Sequence, residues 1–195
     1  MTVHPKYSRS EIALVAGLIV AVAAFRVLRA AYLPDLQNFA PVMAMAFCGG
    51  LFLPGALAWA LPLGALIISD VALAFIFNYP ALGSAQVSWL CFALAVGVGR
   101  WMARREKAGL VTFVLLLLGN AVVFYLATNT VSWLTDAYPR TLAGLGQALT
   151  TGLPGYAPTW VFFRNQLVSD FLFAGLILAV HAFAIRAPRP ATQSA

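Results

Sequence analysis

Long apolar runs alternate with short clusters of charges, prolines and polar residues along this chain. A membrane-spanning helix needs about 20 mostly apolar residues, with a range of roughly 17–25. Six runs meet or approach that length, and they cover residues 12–31, 39–53, 56–77, 85–101, 110–127 and 166–185. The pattern predicts an all-α integral membrane protein with six transmembrane helices and a single membrane domain over residues 1–195.

The first apolar run permits a second interpretation. Basic residues precede it, and Ala21-Val22-Ala23 resembles the small-residue cleavage site of a secretory signal peptide. Removing the run would leave an odd number of spans and would place the two basic ends of the chain on opposite sides of the membrane. We therefore expect it to be retained as the first span.

Composition agrees with a membrane location. Hydrophobic residues make up 62% of the chain and charged residues only 9%, whereas soluble domains carry about 25% charged residues. High hydrophobicity excludes intrinsic disorder, and two cysteines are too few for a disulfide framework. The net charge of +6 must then be interpreted through its placement along the spans.

Basic residues indicate the orientation of the chain, because membrane proteins concentrate Lys and Arg in short cytoplasmic loops. With both termini cytoplasmic, the inner segments hold Lys6, Arg9, Arg100, Arg104, Arg105, Lys107, Arg186 and Arg189, with Glu11 and Glu106 as the acids. The outer half holds Arg26, Arg29, Arg140 and Arg164 against Asp35, Asp70, Asp136 and Asp170. The whole net charge therefore falls on the cytoplasmic side, which predicts an inner (plasma) membrane protein with both ends inside.

Polar residues within the spans converge on the outer half in this topology. They are Arg26, Asn38, Asp70, Gln86, Ser88, Asn120, Ser169 and Asp170. An ionisable residue at the centre of a span costs about 2.5–3.5 kcal/mol on insertion scales, and it usually faces a cavity or a partner. Convergence predicts a polar pocket toward the outside. The alternative is an internal lock, in which Asp70 and Asp170 pair with Arg26 and Arg164.

A long external segment, residues 128–164, connects the fifth and sixth spans. Leu142, Leu145 and Leu149 follow helical spacing after Pro139, a good first-turn residue, and this predicts a short helix. Gly152, Pro154, Gly155 and Pro158 then break the helical pattern. The segment is interpreted as a lid over the pocket or as a purely structural plug. Aromatic residues at this level form an interfacial belt or stack on a flat ring.

Catalytic and cofactor-binding patterns are absent from the sequence. There is no GxxxxGK[ST] phosphate-binding loop, and His4, His181, Cys48 and Cys91 are too scattered to form a metal site. The cysteines are expected to be core residues. An aspartyl enzyme built on Asp70 and Asp170 is disfavoured because nearby arginines would keep both carboxylates ionised. We expect no enzyme activity, no cofactor and no metal.

Several motifs together resemble a known class of membrane protein. They are Asn38-Phe39-Ala40-Pro41-Val42, Gly49-Gly50, Ser69-Asp70, residues 128–133, residues 138–145 and Phe163-Arg164-Asn165. These resemble the S components, the substrate-binding membrane subunits of energy-coupling factor (ECF) transporters, or an uncharacterised bacterial membrane family related to them. The resemblance implies a six-helix bundle that binds a vitamin or similar micronutrient near its outer face.

The resemblance also implies partner subunits. Small residues on the first helix of S components dock onto a transmembrane coupling protein that two ATPase subunits drive, and the corresponding residues here are Ala13, Gly17 and Ala21. Nickel and cobalt members place a histidine almost at an external N-terminus. His4 falls on a predicted cytoplasmic tail, which argues against those substrates.

These observations predict a substrate-binding subunit for uptake of a micronutrient. The expected pocket residues are Asn38, Asp70, Asn129, Trp133, Arg164 and Asp170. The alternative is a non-transporting structural or assembly protein in which the polar cluster is an internal lock. A secondary transporter that works alone is a third possibility, but the chain lacks evident inverted repeats and paired broken helices.

Overall fold

Seven α-helices make up the part of the chain that the computed structural model describes, residues 7–78, 85–105, 109–135 and 138–186. They are α1 (Arg9–Tyr32), α2 (Val42–Phe52), α3 (Leu57–Phe77), α4 (Ala85–Ala103), α5 (Leu110–Thr135), α6 (Leu142–Leu149) and α7 (Thr159–Arg186). The prediction of an all-α fold is confirmed over these ranges. His4, Lys6, Glu106, Lys107, Asp136 and Arg189 lie outside the described residues.

Four of the helices are long and apolar enough to cross a membrane. They are Arg9–Tyr32, Leu57–Phe77, Leu110–Thr135 and Thr159–Phe183. Large apolar side chains cover much of their outer surface, and Phe75 and Val111 are 85% and 73% exposed. Such a surface suits hydrocarbon rather than water. The four helices therefore have the length and the surface of membrane spans.

Two further predicted spans form shorter helices. The helix α2 has 11 residues and so extends about 16 Å, roughly half of the hydrocarbon thickness of a bilayer. The helix α4 has 19 residues. A topology of six spans remains a prediction.

The short helix α2 is the centre of the bundle. All nine residues from Val42 to Gly50 are buried, and the helix packs against α3, α4, α5 and α7. Since its neighbours surround it, an apolar helix that is too short to cross the bilayer alone is screened from lipid and water. The hydrophobic core of the described residues is built around it.

Two glycines allow the backbones of α2 and α4 to touch where these helices cross. A Cβ atom added at Gly50 would overlap the carbonyl group of Val96, and one added at Gly99 would overlap the carbonyl group of Phe47. Close approach of this kind needs glycine, as at many helix contacts in membranes. The crossing brings α4 onto the central helix.

The helix α1 runs beside α3 and stays largely apart from the rest of the bundle. Ile19 lies over Gly64, and the Tyr7 hydroxyl accepts a hydrogen bond of 2.7 Å from the Ala56 amide at the start of α3. Only three residues of α1 are buried. A cleft of about 590 Å³ separates α1 from α2 and α7, and its walls are almost entirely apolar.

The two helices that flank the predicted lid are longer than the apolar runs indicated. The helix α5 continues eight residues past Ala127. Its polar side chains there bond to their own helix: the Thr128 hydroxyl donates to the Phe124 carbonyl and the Asn129 amide to the Tyr125 carbonyl. The helix α7 begins at Thr159, directly after Pro158. Residues 128–135 and 159–164 of the predicted lid are therefore helical.

The short helix predicted after Pro139 is present as α6. Thr141 caps it, since the Thr141 hydroxyl accepts a hydrogen bond of 3.1 Å from the Gly144 amide. Gly144 packs directly against the Pro139 carbonyl. We call the end of the bundle that carries residues 33–41 and 138–158 the lid end, and the opposite end the Arg100 end.

The glycine crossing predicts an asymmetric response to substitution within α4. Gly99→Ala forces a Cβ atom into the α2 backbone, which should cost about 1–3 kcal/mol of stability and lower the thermal midpoint in detergent. Gly97→Ala is the matched control, because nothing lies within 4 Å of the added atom and alanine is the better helix former. Equal midpoints for the two variants would contradict the crossing.

Candidate functional site

Three helices meet at an ion pair in the lid-end half of the bundle. Arg26 on α1 lies 2.8 Å from an Asp70 carboxylate oxygen on α3, and the Trp89 indole on α4 donates a 3.1 Å hydrogen bond to the other oxygen. Arg26 also donates to the buried Ser69 hydroxyl, which in turn donates to the Ala65 carbonyl. Both oxygens of Asp70 are therefore engaged by side chains of the protein itself.

Polar side chains of α7 hold the loop between α1 and α2. The buried Asn165 amide donates to the carbonyl groups of Asp35 (3.3 Å) and Gln37 (3.0 Å), and the Ser169 hydroxyl donates to the Ala40 carbonyl (2.7 Å). Asn38 sits between these contacts with φ +61°, a left-handed conformation that asparagine tolerates. The loop is tied to α7 through its backbone, and the Asn38 side chain is exposed.

Arg164 lies beside this strap at the rim of the lid end. Its guanidinium donates to the Asn165 side-chain oxygen at 3.0 Å, and its central carbon lies 5.7 Å from the centre of the Trp160 ring. The residue is exposed. Arg164 therefore orients the Asn165 amide toward the loop and keeps its charge near solvent.

The helix α6 is fastened over the ends of α5 and α7. The Tyr125 hydroxyl donates to the Leu149 carbonyl at the end of α6, and the Trp133 indole donates to the Pro139 carbonyl at 2.8 Å. The Tyr125 ring packs on the Phe163 ring with centroids 4.6 Å apart. Tyrosine and tryptophan side chains of α5 thus hold both ends of the α6 segment in place.

Asp170 lies inward of this lid without a partner. The residue is 0% exposed, and neither of its carboxylate oxygens has a hydrogen bond. Gln166, one turn earlier on the same face of α7, is also buried and its side-chain oxygen is unpaired. Buried polar atoms without partners are uncommon in proteins and call for an explanation.

The six predicted pocket residues all lie in the lid-end half, but they fall into separate groups. Asp70 pairs with Arg26, Asn38 and Arg164 flank the loop strap, Asn129 and Trp133 stabilise the end of α5 and the start of the α6 segment, and Asp170 is buried alone. The internal lock considered from the sequence is half present. The Arg26–Asp70 pair exists, whereas among the described residues no ion pair joins Asp170 to Arg164.

The residues expected to dock a partner lie on an open face of α1. Ala13, Gly17 and Ala21 are all exposed, and a Cβ atom added at Gly17 would meet nothing within 4 Å. The packing of α1 on α3 does not use this face.

Other sequence predictions concern residues of the core. Cys48 and Cys91 are buried free thiols, as expected. The His181 ring stacks on the Phe52 ring, with ring centroids 4.0 Å apart. Over the described ranges no group of three or more His, Cys, Asp or Glu side chains is arranged to hold a metal ion.

Two residues of the site were missed from the sequence. Gln166 precedes Asp170 by four residues, and this spacing could have identified the pair on one helical face. Tyr125 carries no comparable signal, because its role depends on where α6 ends in space.

Comparison with known proteins gives a family but no activity. The family whose profile matches residues 6–192 is described as a family of unknown function, DUF6580. The chain belongs to the DUF6580 family. The match spans nearly the whole chain, so all seven helices belong to the DUF6580 region. No curated protein and no solved structure shows significant similarity to the chain.

The Arg26–Asp70 pair predicts a loss of stability when one partner is removed. Asp70→Asn leaves the Arg26 charge without its counter-ion, which should cost about 1–3 kcal/mol and reduce the yield of folded protein in detergent. Asp35→Asn is the matched control, since Asp35 is exposed and contributes only its backbone carbonyl.

A double variant, Arg26→Gln with Asp70→Asn, should recover part of the loss because neither charge remains unpaired. If the loss of stability in the double variant equals the sum of the losses in the two single variants, Arg26 and Asp70 contribute no interaction energy as a pair.

Proposed function

We propose that this DUF6580 protein is the substrate-binding subunit of an importer for a vitamin-like micronutrient. It captures a small molecule under α6 at the lid end and docks on an ATP-driven coupling module. The observation that carries the proposal is the buried, unpartnered Asp170 beneath a fastened external helix. A polar group left unsatisfied inside a membrane helix marks a functional site by default.

The lid end has the composition of a binding site. Asn129, Trp133 and Arg164 lie where α5 and α7 emerge from the bundle, and Asn38 lies on the strapped loop opposite them. A few polar groups among aromatic and apolar side chains suit the binding of a small organic ligand. Asp70 contributes to the site by holding Arg26 in place, because Arg26 and Trp89 already contact its two carboxylate oxygens.

The proposed topology has six spans with both termini in the cytoplasm of the cell. The Arg100 end supports this orientation, since Arg100, Arg104 and Arg105 follow one another where α4 ends. The lid end then faces outward, toward the supply of a nutrient. In this proposal the segment 39–53, which contains the short helix α2, and the helix α4 complete the set of six with the four long helices.

The open face of α1 is the proposed docking surface for a coupling protein. Ala13, Gly17 and Ala21 recur at four-residue intervals, which lets another helix approach closely. The face is exposed, so a partner helix could reach it without rearrangement of the bundle. Two ATPase subunits would supply the energy, and this chain would serve as the binding subunit without enzyme activity.

A structural or assembly role is the second candidate, and a specific observation favours it. Arg26, Asp70, Ser69 and Trp89 form a closed network that joins three helices. A protein whose polar residues only hold helices together needs no ligand. That role explains Asp70 but leaves Asp170 without an explanation.

The proposed function predicts that a small molecule accompanies the protein out of native membranes. Mass spectrometry of the purified protein should detect a bound micronutrient, and a deletion strain should grow poorly when vitamins are limiting. Trp133→Leu should retain about tenfold less of the molecule, equivalent to about 1.4 kcal/mol.

Trp101→Leu is the matched control, because Trp101 is an exposed tryptophan at the Arg100 end. An empty wild-type protein together with normal growth of the deletion strain would count against the importer and in favour of the structural role.

The docking surface predicts a separate effect on partner binding. Gly17→Leu places a bulky side chain on the open face of α1, so co-purification of a coupling protein should be lost while folded yield is kept. Gly119→Leu on α5 is the control, since its Cβ position is equally open. Equal recovery of the partner with both variants would place the docking surface elsewhere.

A further inference from the structure

Three buried acceptor oxygens without partners lie together on α7. Two belong to Asp170 and the third to Gln166, one helical turn earlier on the same face. Both residues are fully or almost fully buried, at 0% and 5% exposure. A lone unpaired oxygen is explained by a water molecule, whereas three buried acceptor oxygens one helical turn apart, two of them on a carboxyl group, favour a positively charged ligand.

Three of the helices packed against α7 supply no positive charge. The helices α2, α5 and α6 contain no Asp, Glu, Lys, Arg or His, and their titratable side chains include Cys48 on α2 and Tyr125 on α5. The remaining charged or titratable groups near α7 are Arg26 and Arg29 on α1, Asp35 in the loop, and Arg164, His181 and Arg186 on α7 itself. Arg26 is paired with Asp70 and Arg164 is exposed, and no ion pair among the described residues involves Asp170.

The site is shielded from water on its lid side. Phe163 lies two turns outward of Asp170 on the same face, about 10 Å along the helix, and it packs on Tyr125 beneath the end of α6. On α5 the buried Asn120 lies five residues inward of Tyr125, about 7.5 Å along that helix, and so at a similar depth to Asp170. Because Asp170 is fully buried, its surroundings have a low dielectric constant, which strengthens any charge interaction.

A metal ion or ammonium group satisfies these oxygens better than a proton does. A protonated Asp170 would donate one hydrogen bond to Gln166 and leave the second carboxylate oxygen unpaired. A monovalent cation can take oxygens of both residues as ligands. We propose that Asp170 and Gln166 form a binding site for one monovalent cation, supplied by an alkali-metal ion or by the ammonium group of a bound solute.

This site goes beyond the proposed function, because it requires no transported micronutrient. Its test is thermal unfolding of the purified full-length protein in NaCl, KCl, methylammonium chloride or choline chloride at equal ionic strength. The midpoint should rise by about 5 °C or more at a saturating concentration of the cation that binds, relative to choline.

Asp170→Asn should abolish this rise, and its midpoint in choline chloride should equal or exceed that of the wild type because the buried charge is gone. Gln166→Met keeps the size of the side chain but removes its oxygen, so about tenfold more cation should be needed. Asp35→Asn should respond as the wild type does. The Gln166 variant decides the question if the Asp170 variant does not fold.

A response to sodium or potassium alone identifies a metal ion, and a response to methylammonium identifies an ammonium group. No response to any of the three salts overturns the proposal, as does an undiminished response in Asp170→Asn. If none of the three salts raises the thermal midpoint, a midpoint that rises on acidification shows that a proton neutralises Asp170. Either failure is distinguishable from failure of the importer, which is judged by the bound micronutrient and by growth.

Discussion

The burial of α2 is the constraint on which the rest of the bundle depends. An 11-residue apolar helix is too short to span hydrocarbon, so its ends and its backbone must be covered by neighbouring helices. Glycines at positions 50 and 99 permit the closest of these contacts, between α2 and α4. The helices α3 and α7 pack on other faces of α2, while α1 rests on α3 and leaves an apolar cleft open toward α2 and α7.

The polar residues of the lid end divide into those that hold the fold and those left for a ligand. Asp70 is neutralised by Arg26 and Trp89, and Asn165 and Ser169 hold the loop between α1 and α2. Asp170 and Gln166 retain unpaired oxygens at a similar depth. A stabilising role for the first group is compatible with ligand binding by the second, because different side chains supply the two groups, even where both lie on α7.

Much of the fold could be predicted from apolar runs alone. The positions of α1, α3, α4 and the short helix α6 agree with the sequence to within a few residues. The ends of α5 and α7 did not, because residues such as Thr128 and Asn129 were interpreted as loop residues although their side chains bond to their own helix. Thr128 and Asn129 donate to carbonyl groups one turn earlier, so these polar residues lie within α5 rather than at its end.

The sequence by itself determined that the chain is a helical membrane protein, since hydrocarbon requires long apolar runs and internally bonded backbones. It also predicted that the net positive charge collects on one side of the membrane. Only the tertiary structure decided which charges neutralise each other, because Arg26 reaches Asp70 through the packing of α1 on α3. Arg164 and Asp170 are six residues apart on one helix, yet one is exposed and the other fully buried. Pairing is a property of distance and burial, and neither can be read from spacing along the chain.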